Sequence, residues 1–579
     1  MRRAAASVAA GLLLAGLAAP PAVAQTAGSV QPKDPNALTL PPTQCDPPAG
    51  HRRTASAVVA IADRRPEIVA MRRRHRGTTR AAYLKGPVRW QVSYFARRRD
   101  PDVQGKELAQ VIIDDATGRP METWTGHQVA RSMARGYAGA LGRKSNALYV
   151  WIPLCLLFIL PFVDPRRPFR LIHLDLLVLL GFSASLAVFN HGDIGVSVPL
   201  AYPPLLYLLV RLLWAARVPT AGRPRPPINL LVPATWLVVG LIFLVAFRIG
   251  LNVTNSNVID VGYAGVIGAD NLVDGDPLYG DFPDNNAQGD TYGPVNYYAY
   301  VPFEQTWAWS GRWDDLPAAH GAAIFFDLLT MLGLWLLGRR IRGPTLGLAL
   351  AYAWAAFPFT LFTLNSNSND SLVAATVVGA LLLASSPPAR GAMMAVAGLT
   401  KFAPFALAPL LATYRAAGGR ARPRELLVFA AGFALALAVL MLPPLTDGGL
   451  RLFYERTIDY QGGRDSPFSL WGIQDGLGSL HTAVKVFAVG LALVVAFVPR
   501  RRDLVSLAAL AGAVLIGVQL TVEHWFYLYI VWFLPVALVA LLGRDLAPRG
   551  RGPRAPASPD PEREAAVARS RQRVPALTR

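Results

Sequence analysis

The acids of this chain that are best placed to do chemistry lie in a polar stretch, residues 249–319, between two apolar runs. Asp260 opens a segment with helical spacing, so we expect a helix to begin there. A carboxylate on a folded loop is suited to act as a general base. Its alternative roles are a helix cap or a solvated loop acid. Asp270 and Asp276 are the other candidate bases of this stretch. The positions that follow Asp260 at helical spacing are Tyr263, Ile267 and Asn271.

The cation that stands out is Lys401, because the sequence around it, GLTKFAPFALAP, is otherwise apolar. A charge in such surroundings is costly and indicates a function. An ammonium is a good point-charge partner for phosphate. The alternative is that the side chain extends to an interface and is simply solvated.

A second polar stretch, residues 444–480, contains Arg451, Arg456 and Arg464. Guanidinium groups bind phosphate through paired hydrogen bonds, so this stretch is a candidate phosphate site. The alternative is that the arginines form ion pairs with the acids nearby, which are Glu455, Asp459 and Asp465. His524 opens the last apolar run and is a further candidate, with an interfacial capping role as its alternative.

Aromatic residues are concentrated in the second half of the first stretch, after a turn that contains Tyr279. Aromatic rings stack on sugars, but they also form belts at membrane interfaces, and the belt is the safer interpretation. The rings concerned are Tyr292, Tyr297, Tyr298, Tyr300, Trp307 and Trp309.

The elements that must position these residues are membrane helices. The chain has 579 residues, of which 53% are hydrophobic and only 16% charged, whereas soluble domains are nearer a quarter charged. The net charge of +20 lies mostly beside apolar runs or in the tail, which argues against a nucleic-acid partner. The predicted spans are 147–163, 171–190, 197–214, 229–248, 320–337, 346–364, 371–386, 425–443, 481–498, 504–521 and 525–543.

The N-terminal part is predicted to be exported. Residues 1–25 have the pattern of a signal peptide, with Arg2 and Arg3 before an apolar core, and 26–55 are predicted to be a linker. Residues 56–140 are predicted to form a small α+β domain, with a helix over 62–75, strands over 89–96, 108–115 and 120–126, and a closing helix over 127–142. This order resembles a PepSY-type domain. Cys45 and Cys155 are not expected to pair.

The distribution of basic loops predicts the topology. If 391–413 is a hairpin of two short helices broken at Lys401, the basic loops and the basic tail, 546–579, all face the cytoplasm. The stretches 249–319 and 444–480 then become long loops on the extracytoplasmic side, and the short loop NSNSND faces the same side.

Four groups of residues in this order resemble the C superfamily of membrane glycosyltransferases. The likeness is strongest to the polyprenol-phosphate-mannose-dependent α-mannosyltransferases of glycosyltransferase family 87. It covers about 229–545, with three additional spans, 147–214, before it. The groups are Asp260…Tyr263…Gly275-Asp276-Pro277-Leu278-Tyr279; Thr291-Tyr292-Gly293-Pro294, with Gly where the family has Pro; GLTKFAPFALAP; and Arg456-Thr457…Gln461…Arg464…Ser466-Pro467-Phe468-Ser469-Leu470-Trp471-Gly472.

The resemblance implies a polytopic α-helical membrane enzyme of the plasma membrane of a bacterium. It implies an inverting transfer of a sugar, mannose or another hexose or pentose, from a polyprenyl-phosphate donor to an extracytoplasmic glycan or lipid. Asp260 would be the base, while Lys401, Arg456 and Arg464 would stabilise the leaving phosphate. Neither a cofactor nor a metal site is expected. The substrate-binding residues would be Tyr263, Asp270, Asp276, Tyr279, Tyr292, Lys401, Arg456, Arg464 and His524.

Two other classes of function remain open from the residues alone. A transporter or flippase would use ionisable residues inside the spans, where Asp175 and Asp327 are the main ones. A sensor or assembly protein of the cell envelope would use the exported domain to bind a partner, but that function would not explain the arginines of 444–480.

Overall fold

The computed structural model describes residues 38–86, 88–96, 107–129, 142–217, 230–283, 286–313, 315–415, 421–446, 448–463, 466–474, 476–499 and 503–545. The chain divides into two compact units, Met1–Trp124 and Thr125–Arg579. The predicted signal peptide, residues 130–141 of the closing helix predicted over 127–142, the C-terminal tail from 546 and Arg464 lie outside the described residues.

The first unit contains an antiparallel sheet whose strands follow one another in chain order. Its elements are Leu38–Thr39 (β1), Ala55–Asp63 (α1), Pro66–Arg74 (α2), Thr79–Lys85 (β2), Arg89–Phe95 (β3), Glu107–Asp114 (β4) and Pro120–Thr125 (β5). The strands expected over 89–96, 108–115 and 120–126 are present. The helix expected over 62–75 is divided, because Pro66 has no N–H to continue α1 and instead begins α2.

One face of this sheet carries the core of the unit. Trp90 and Val92 of β3 and Val111 of β4 are fully buried and pack with Val58 of α1 and Ile68 of α2. In the register of the sheet, Val92 lies opposite Ala82 of β2 and opposite Val111. β1 comes from the segment that was predicted to be a linker and pairs with β2, so the sheet begins before residue 56.

The second unit is helical. Its helices are Leu148–Ile159 (α3), Leu171–Asn190 (α4), Ile194–Arg217 (α5), Ala234–Asn255 (α6), Asp260–Asp274 (α7), Pro294–Tyr298 (α8), Val301–Glu304 (α9), Pro317–Arg342 (α10), Pro344–Ala356 (α11), Pro358–Asn365 (α12), Asp370–Leu382 (α13), Pro387–Thr400 (α14), Ala408–Ala412 (α15), Pro423–Leu440 (α16), Leu442–Thr446 (α17), Gly449–Tyr454 (α18), Tyr460–Gly463 (α19), Leu470–Ile473 (α20), Gly478–Val494 (α21), Leu504–Gln519 (α22) and Ile530–Asp545 (α23).

Within the described ranges, five helices are long and apolar enough to cross a membrane, or six if α11 and α12 count as one bent span. The fold is therefore a polytopic α-helical membrane domain, together with the small sheet unit. Only 6% of the apolar window of α16 is buried inside the protein, which fits a helix whose sides face lipid. α4 packs on α5, and α5 on α22, while α10 packs on α11 and α13.

Two interruptions of the helices are important for the site. α11 and α12 meet at an angle of 60°, where Phe357 is extended because Pro358 follows it. α14 ends at Thr400, and Lys401 has extended backbone angles. Pro404 cannot donate to the carbonyl of Thr400, so the helix does not continue. The predicted break at Lys401 is confirmed.

Candidate active site

Asp260 is the first residue of α7, and its side chain is exposed. The chain that leads into it is extended and lies along the segment between α12 and α13. The backbone N–H of Asn257 donates to the carbonyl of Asn365 at 3.1 Å, and that of Ile259 donates to the carbonyl of Ser366 at 3.1 Å. Asp260 is therefore attached to a buried part of the membrane domain rather than to a free loop.

A stripe of glycines fixes α7 on its neighbours. A Cβ at Gly262 would overlap the carbonyl oxygen of Asn367, and one at Gly265 would lie 2.6 Å from ring carbons of Tyr300. Gly268 faces the ring of Tyr297 in the same way. The predicted helix from Asp260 is confirmed, and its glycine face explains why it packs so closely.

These contacts change the interpretation of the aromatic residues. Tyr297 and Tyr300 are fully buried against α7, so they neither form a membrane belt nor meet a sugar in this conformation. Tyr263, which was predicted to bind substrate, is also fully buried, and its ring stacks on Trp313 at 4.7 Å. In this conformation its side chain packs within the loop, and substrate binding by Tyr263 stays a prediction.

Lys401 lies in an enclosed cage and is only 8% exposed. Its Nζ donates to Oδ1 of Asp370 at 2.6 Å. The rings of Tyr292, Tyr529 and Trp532 surround the ammonium, with centroids 5.4, 5.4 and 5.0 Å from Nζ. Such distances permit cation–π attraction. The alternative that Lys401 is simply solvated is therefore wrong.

Tyr292 connects this cage to Asp260. Burial raises the pKa of Tyr292 well above its ordinary value, and the negative charges of Asp260 and Asp370 raise it further. Both carboxylates are thus within electrostatic reach of one phenol. The ring of Tyr292 thus lies over the ammonium of Lys401, and its phenol is within electrostatic reach of Asp260.

The position of the Tyr292 ring next to Lys401 depends on Gly293. A Cβ there would lie 2.5 Å from the carbonyl carbon of Leu399 and closer to its oxygen. The turn before α8 therefore rests directly on the last residues of α14, just ahead of Lys401. This close approach leaves no room for a Cβ at position 293.

Arg456 is held by a carboxylate instead of facing an open site. Its Nε donates to Oδ2 of Asp290 at 2.6 Å, and Nη2 donates to the carbonyl of Ala287 at 2.7 Å. Nearby, Gln461 Nε2 donates to the Thr291 hydroxyl at 2.7 Å. Through Arg456 and Gln461, the second polar stretch thus binds the segment that leads to Tyr292. Ion pairing, the alternative to phosphate binding, accounts for Arg456, although its partner is Asp290 and not one of the local acids.

Two other predicted residues lie around this cluster in different ways. His524 Nδ1 lies 2.8 Å from the Ser466 hydroxyl, and its ring centroid lies 6.4 Å from that of Tyr529, so it is next to the cage. Tyr279 is buried, and its hydroxyl donates to the carbonyl of Tyr292 at 2.9 Å, so it supports the site from behind.

Asp270 and Asp276, the alternative bases, lie toward the other end of α7. Burial raises the pKa of Asp270 to about 6, and the charges of Glu304, Asp274 and Asp276 raise it further. Asp270 shares a side-chain hydrogen bond with Glu304, whereas Asp276 is exposed after the helix. Of the three acids, Asp260 contributes most to raising the pKa of Tyr292.

Asp370, Asp290 and Trp532 belong to the site but were not predicted. Asp370 is part of NSNSND, which looks like a solvated loop from its composition. The sequence nevertheless contained an indication of its pairing with Lys401. A carboxylate at the start of an apolar span needs a cation, and Lys401 was the nearest cation in an apolar segment that had no assigned partner.

The two main acids inside the spans, Asp175 and Asp327, are each paired with an arginine. Asp175 accepts from Arg211 at 2.9 Å, and Asp327 accepts from Arg248 at 2.6 Å. Both pairs are buried. They stabilise helix packing and give no support to a transporter, which would need groups that change partners during transport.

Comparison with known families decides the class of this domain. Residues 291–522 match glycosyltransferase family 87. The chain carries a glycosyltransferase family 87 domain. A search of curated proteins finds no match for the chain.

The glycosyltransferase family 87 match begins at Thr291, directly before Tyr292, and includes Lys401, Asp370 and Arg456. Asp260 precedes the matched range, and His524 follows it. The family, together with the apolar helices, indicates that the protein is a membrane glycosyltransferase.

Proposed function

We propose that this glycosyltransferase moves a sugar from a polyprenyl-phosphate donor to a glycan or lipid on the extracytoplasmic face of a bacterial plasma membrane, with inversion at the anomeric carbon. The observation that carries the proposal is that one buried segment binds both the chain before Asp260, through the carbonyls of Asn365 and Ser366, and Lys401, through Asp370. A base and a cation held by the same part of the protein are what displacement of a phosphate requires.

Lys401 is the residue that we assign to the donor phosphate. An ammonium has three N–H donors, and one of them is used by Asp370. Enclosure by aromatic rings removes water from the ammonium, so its attraction for an entering phosphate oxygen is stronger than it would be in water. The apolar helices around the site suit a donor with a long hydrocarbon chain.

Asp260 is the residue that we assign to the acceptor. It is exposed, while its backbone is fixed by the hydrogen bonds of Asn257 and Ile259. A base needs a reachable carboxylate in a defined place, and this combination supplies both. Asp370 is a poor alternative because it is buried and its oxygens accept hydrogen bonds from several donors.

In the proposed step, the acceptor hydroxyl oxygen forms a bond to the anomeric carbon while the bond from that carbon to the phosphate oxygen breaks. The electron pair of the broken bond stays on the phosphate, near Lys401. The hydroxyl proton goes to Asp260. Attack and departure on opposite faces of the sugar invert the anomeric configuration.

The arginines have a supporting part in this proposal. Arg456 keeps the segment before Tyr292 in place through Asp290, so its loss should disturb the site indirectly. Arg464 remains a proposed phosphate ligand, and His524 a proposed neighbour of the donor through Ser466 and Tyr529.

The test is transfer of radiolabelled sugar from polyprenyl-phosphate mannose, and from other polyprenyl-phosphate sugars, to membrane acceptors. Vesicles would contain wild type or Asp260→Asn at matched protein levels, with Asp276→Asn as the control for loss of a nearby acid. We expect Asp260→Asn to reduce transfer by about 10²–10⁴-fold, and Asp276→Asn to retain it. Equal transfer by wild type and Asp260→Asn would refute the assignment of the base.

A further inference from the structure

The segment Asn365–Asp370 is polar, yet it is buried throughout. Each of its residues is at most 1% exposed. It joins α12 to α13, next to the 60° bend that precedes α12. Polar residues enclosed in a membrane domain are costly and are retained where they serve a function.

One end of this segment holds the cation. Oδ1 of Asp370 accepts from Lys401 Nζ at 2.6 Å and from the indole Nε1 of Trp532 at 2.7 Å. Oδ2 accepts from the Ser368 hydroxyl at 2.7 Å. The carboxylate cannot turn without breaking several hydrogen bonds, so it fixes the ammonium that it pairs with.

The other end holds the chain before Asp260. Besides the two backbone hydrogen bonds to residues 257 and 259, the side chain of Asn367 donates to the Asn257 carbonyl at 2.9 Å and to the Ser256 hydroxyl at 3.0 Å. Asn367 has a positive φ of 51°, a conformation that asparagine adopts more readily than most residues. This backbone conformation bends the segment between the end that binds Lys401 and the end that binds the chain before Asp260.

We infer that Asp370 is a positioning residue of the reaction: it holds Lys401 at a fixed place relative to Asp260, because a single buried segment binds both. The effect on the reaction, as distinct from the fixed position of Lys401, rests on the proposed function. Asp370 does not touch the reacting atoms in this scheme, and its effect acts through Lys401.

The chain offers a matched control for a purely structural role. Asp327 is also a buried carboxylate that accepts from a cation, Arg248 at 2.6 Å, and from an indole N–H, Trp354 at 2.8 Å. Breaking either pair removes the same kind of buried interaction. Only the pair of Asp370 lies at Tyr292.

The first experiment measures Lys401 directly and does not depend on activity. Full-length protein is methylated with formaldehyde and borohydride, and the modification of Lys401 is followed by peptide mass spectrometry. Asp370→Asn removes the charged acceptor that holds the amine at 2.6 Å, so the amine becomes freer to react and the modification rate of Lys401 should rise about tenfold. Asp327→Asn should leave that rate at the wild-type value. Equal rates in wild type and Asp370→Asn, or the same increase in both variants, would overturn the inference.

The second experiment measures transfer with the donor that the wild type accepts best. A misplaced cation should lower kcat about 10²-fold at saturating donor and leave the KM for the acceptor unchanged. Asp327→Asn should keep kcat within about twofold. A fall of kcat in both variants, or in neither, would show that Asp370 is only structural or has no role.

If Asp370→Asn does not fold, Trp532→Phe removes one hydrogen bond from Asp370 and leaves a smaller aromatic ring in place, with Trp354→Phe as its control. The same two measurements then apply, with a smaller increase expected in the modification of Lys401. If the wild type transfers no sugar, the modification rates still decide the inference, and only the proposed function fails.

Discussion

Substitution of Gly293 by alanine tests whether the turn before α8 sets the geometry of the site. The added Cβ would lie 2.5 Å from the carbonyl carbon and 2.8 Å from the Cα of Leu399. Carbon atoms pack at about 3.5–4.0 Å, so the turn and α14 must separate by about 1 Å. The neighbour is backbone in a helix, so no side-chain rotation can relieve the overlap.

A displacement of about 1 Å between positioned groups can reduce a rate about 10²-fold. We therefore expect Gly293→Ala to lower kcat by that order, because Tyr292 moves away from Lys401, while the helical domain stays folded. The assay is sugar transfer in vesicles, with thermal unfolding in detergent as the measure of folding.

Gly250→Ala is the control for the effect of alanine itself. Gly250 lies in α6 and has nothing within 4 Å of the position of its Cβ. Alanine is favoured over glycine in a helix, so this variant should retain activity and be slightly more stable. Wild-type activity in Gly293→Ala would refute the argument that this contact fixes the cage. An equal loss in Gly250→Ala would show that the effect is not specific to the site.

Three further outcomes are expected. Burial raises the pKa of Asp270 to about 6, so its ionisation disfavours the folded state as pH rises through that range. Asp270→Asn should therefore raise the unfolding temperature by about 2 °C above pH 6.5 and leave it unchanged below about pH 4. A gain that does not depend on pH would contradict this. Arg456→Met and Asp290→Asn should each lower transfer, and the double variant should lose less than the two effects combined; additive losses would mean that their ion pair is not what supports Tyr292. Gly268→Ala should cost about 1–3 kcal/mol of stability, since its Cβ meets the ring of Tyr297; an unchanged unfolding temperature would refute the close packing of α7.

The elements around the site could largely be predicted because their signals are local. Helical spacing after Asp260 identified α7. The break at Lys401, and the placement of Asp260 on the same side as Lys401, followed from the distribution of basic residues among the loops. These inferences needed only apolar periodicity and the charge of each loop.

The partners of the charged residues could not be predicted because they are distant in the sequence. Arg456 has acids within three residues, yet it pairs with Asp290 in the other loop. Asp370 pairs with Lys401 across two helices. A local pattern gives the type of each side chain but not the tertiary contact that selects one partner among several.

The same limit explains the interpretation of NSNSND. Short polar residues between two apolar runs are typical of a solvated turn. Here the turn is buried against α7, because the glycine face of that helix allows its backbone to approach the carbonyl of Asn367. The relevant information lies about a hundred residues earlier, in the spacing of Gly262, Gly265 and Gly268.

The position of the site follows from where the helices are interrupted. In a membrane domain, backbone that leaves helical geometry is tolerated only where protein or an internal cavity satisfies its polar groups. The buried segment Asn365–Asp370, between α12 and α13, and the break at Lys401 are joined by the ion pair of Asp370 with Lys401. Loss of either partner would leave the other charge buried without its counter-ion. A charged centre can therefore exist at this point of an apolar fold, and the exposed carboxylate of Asp260 is attached to the same segment.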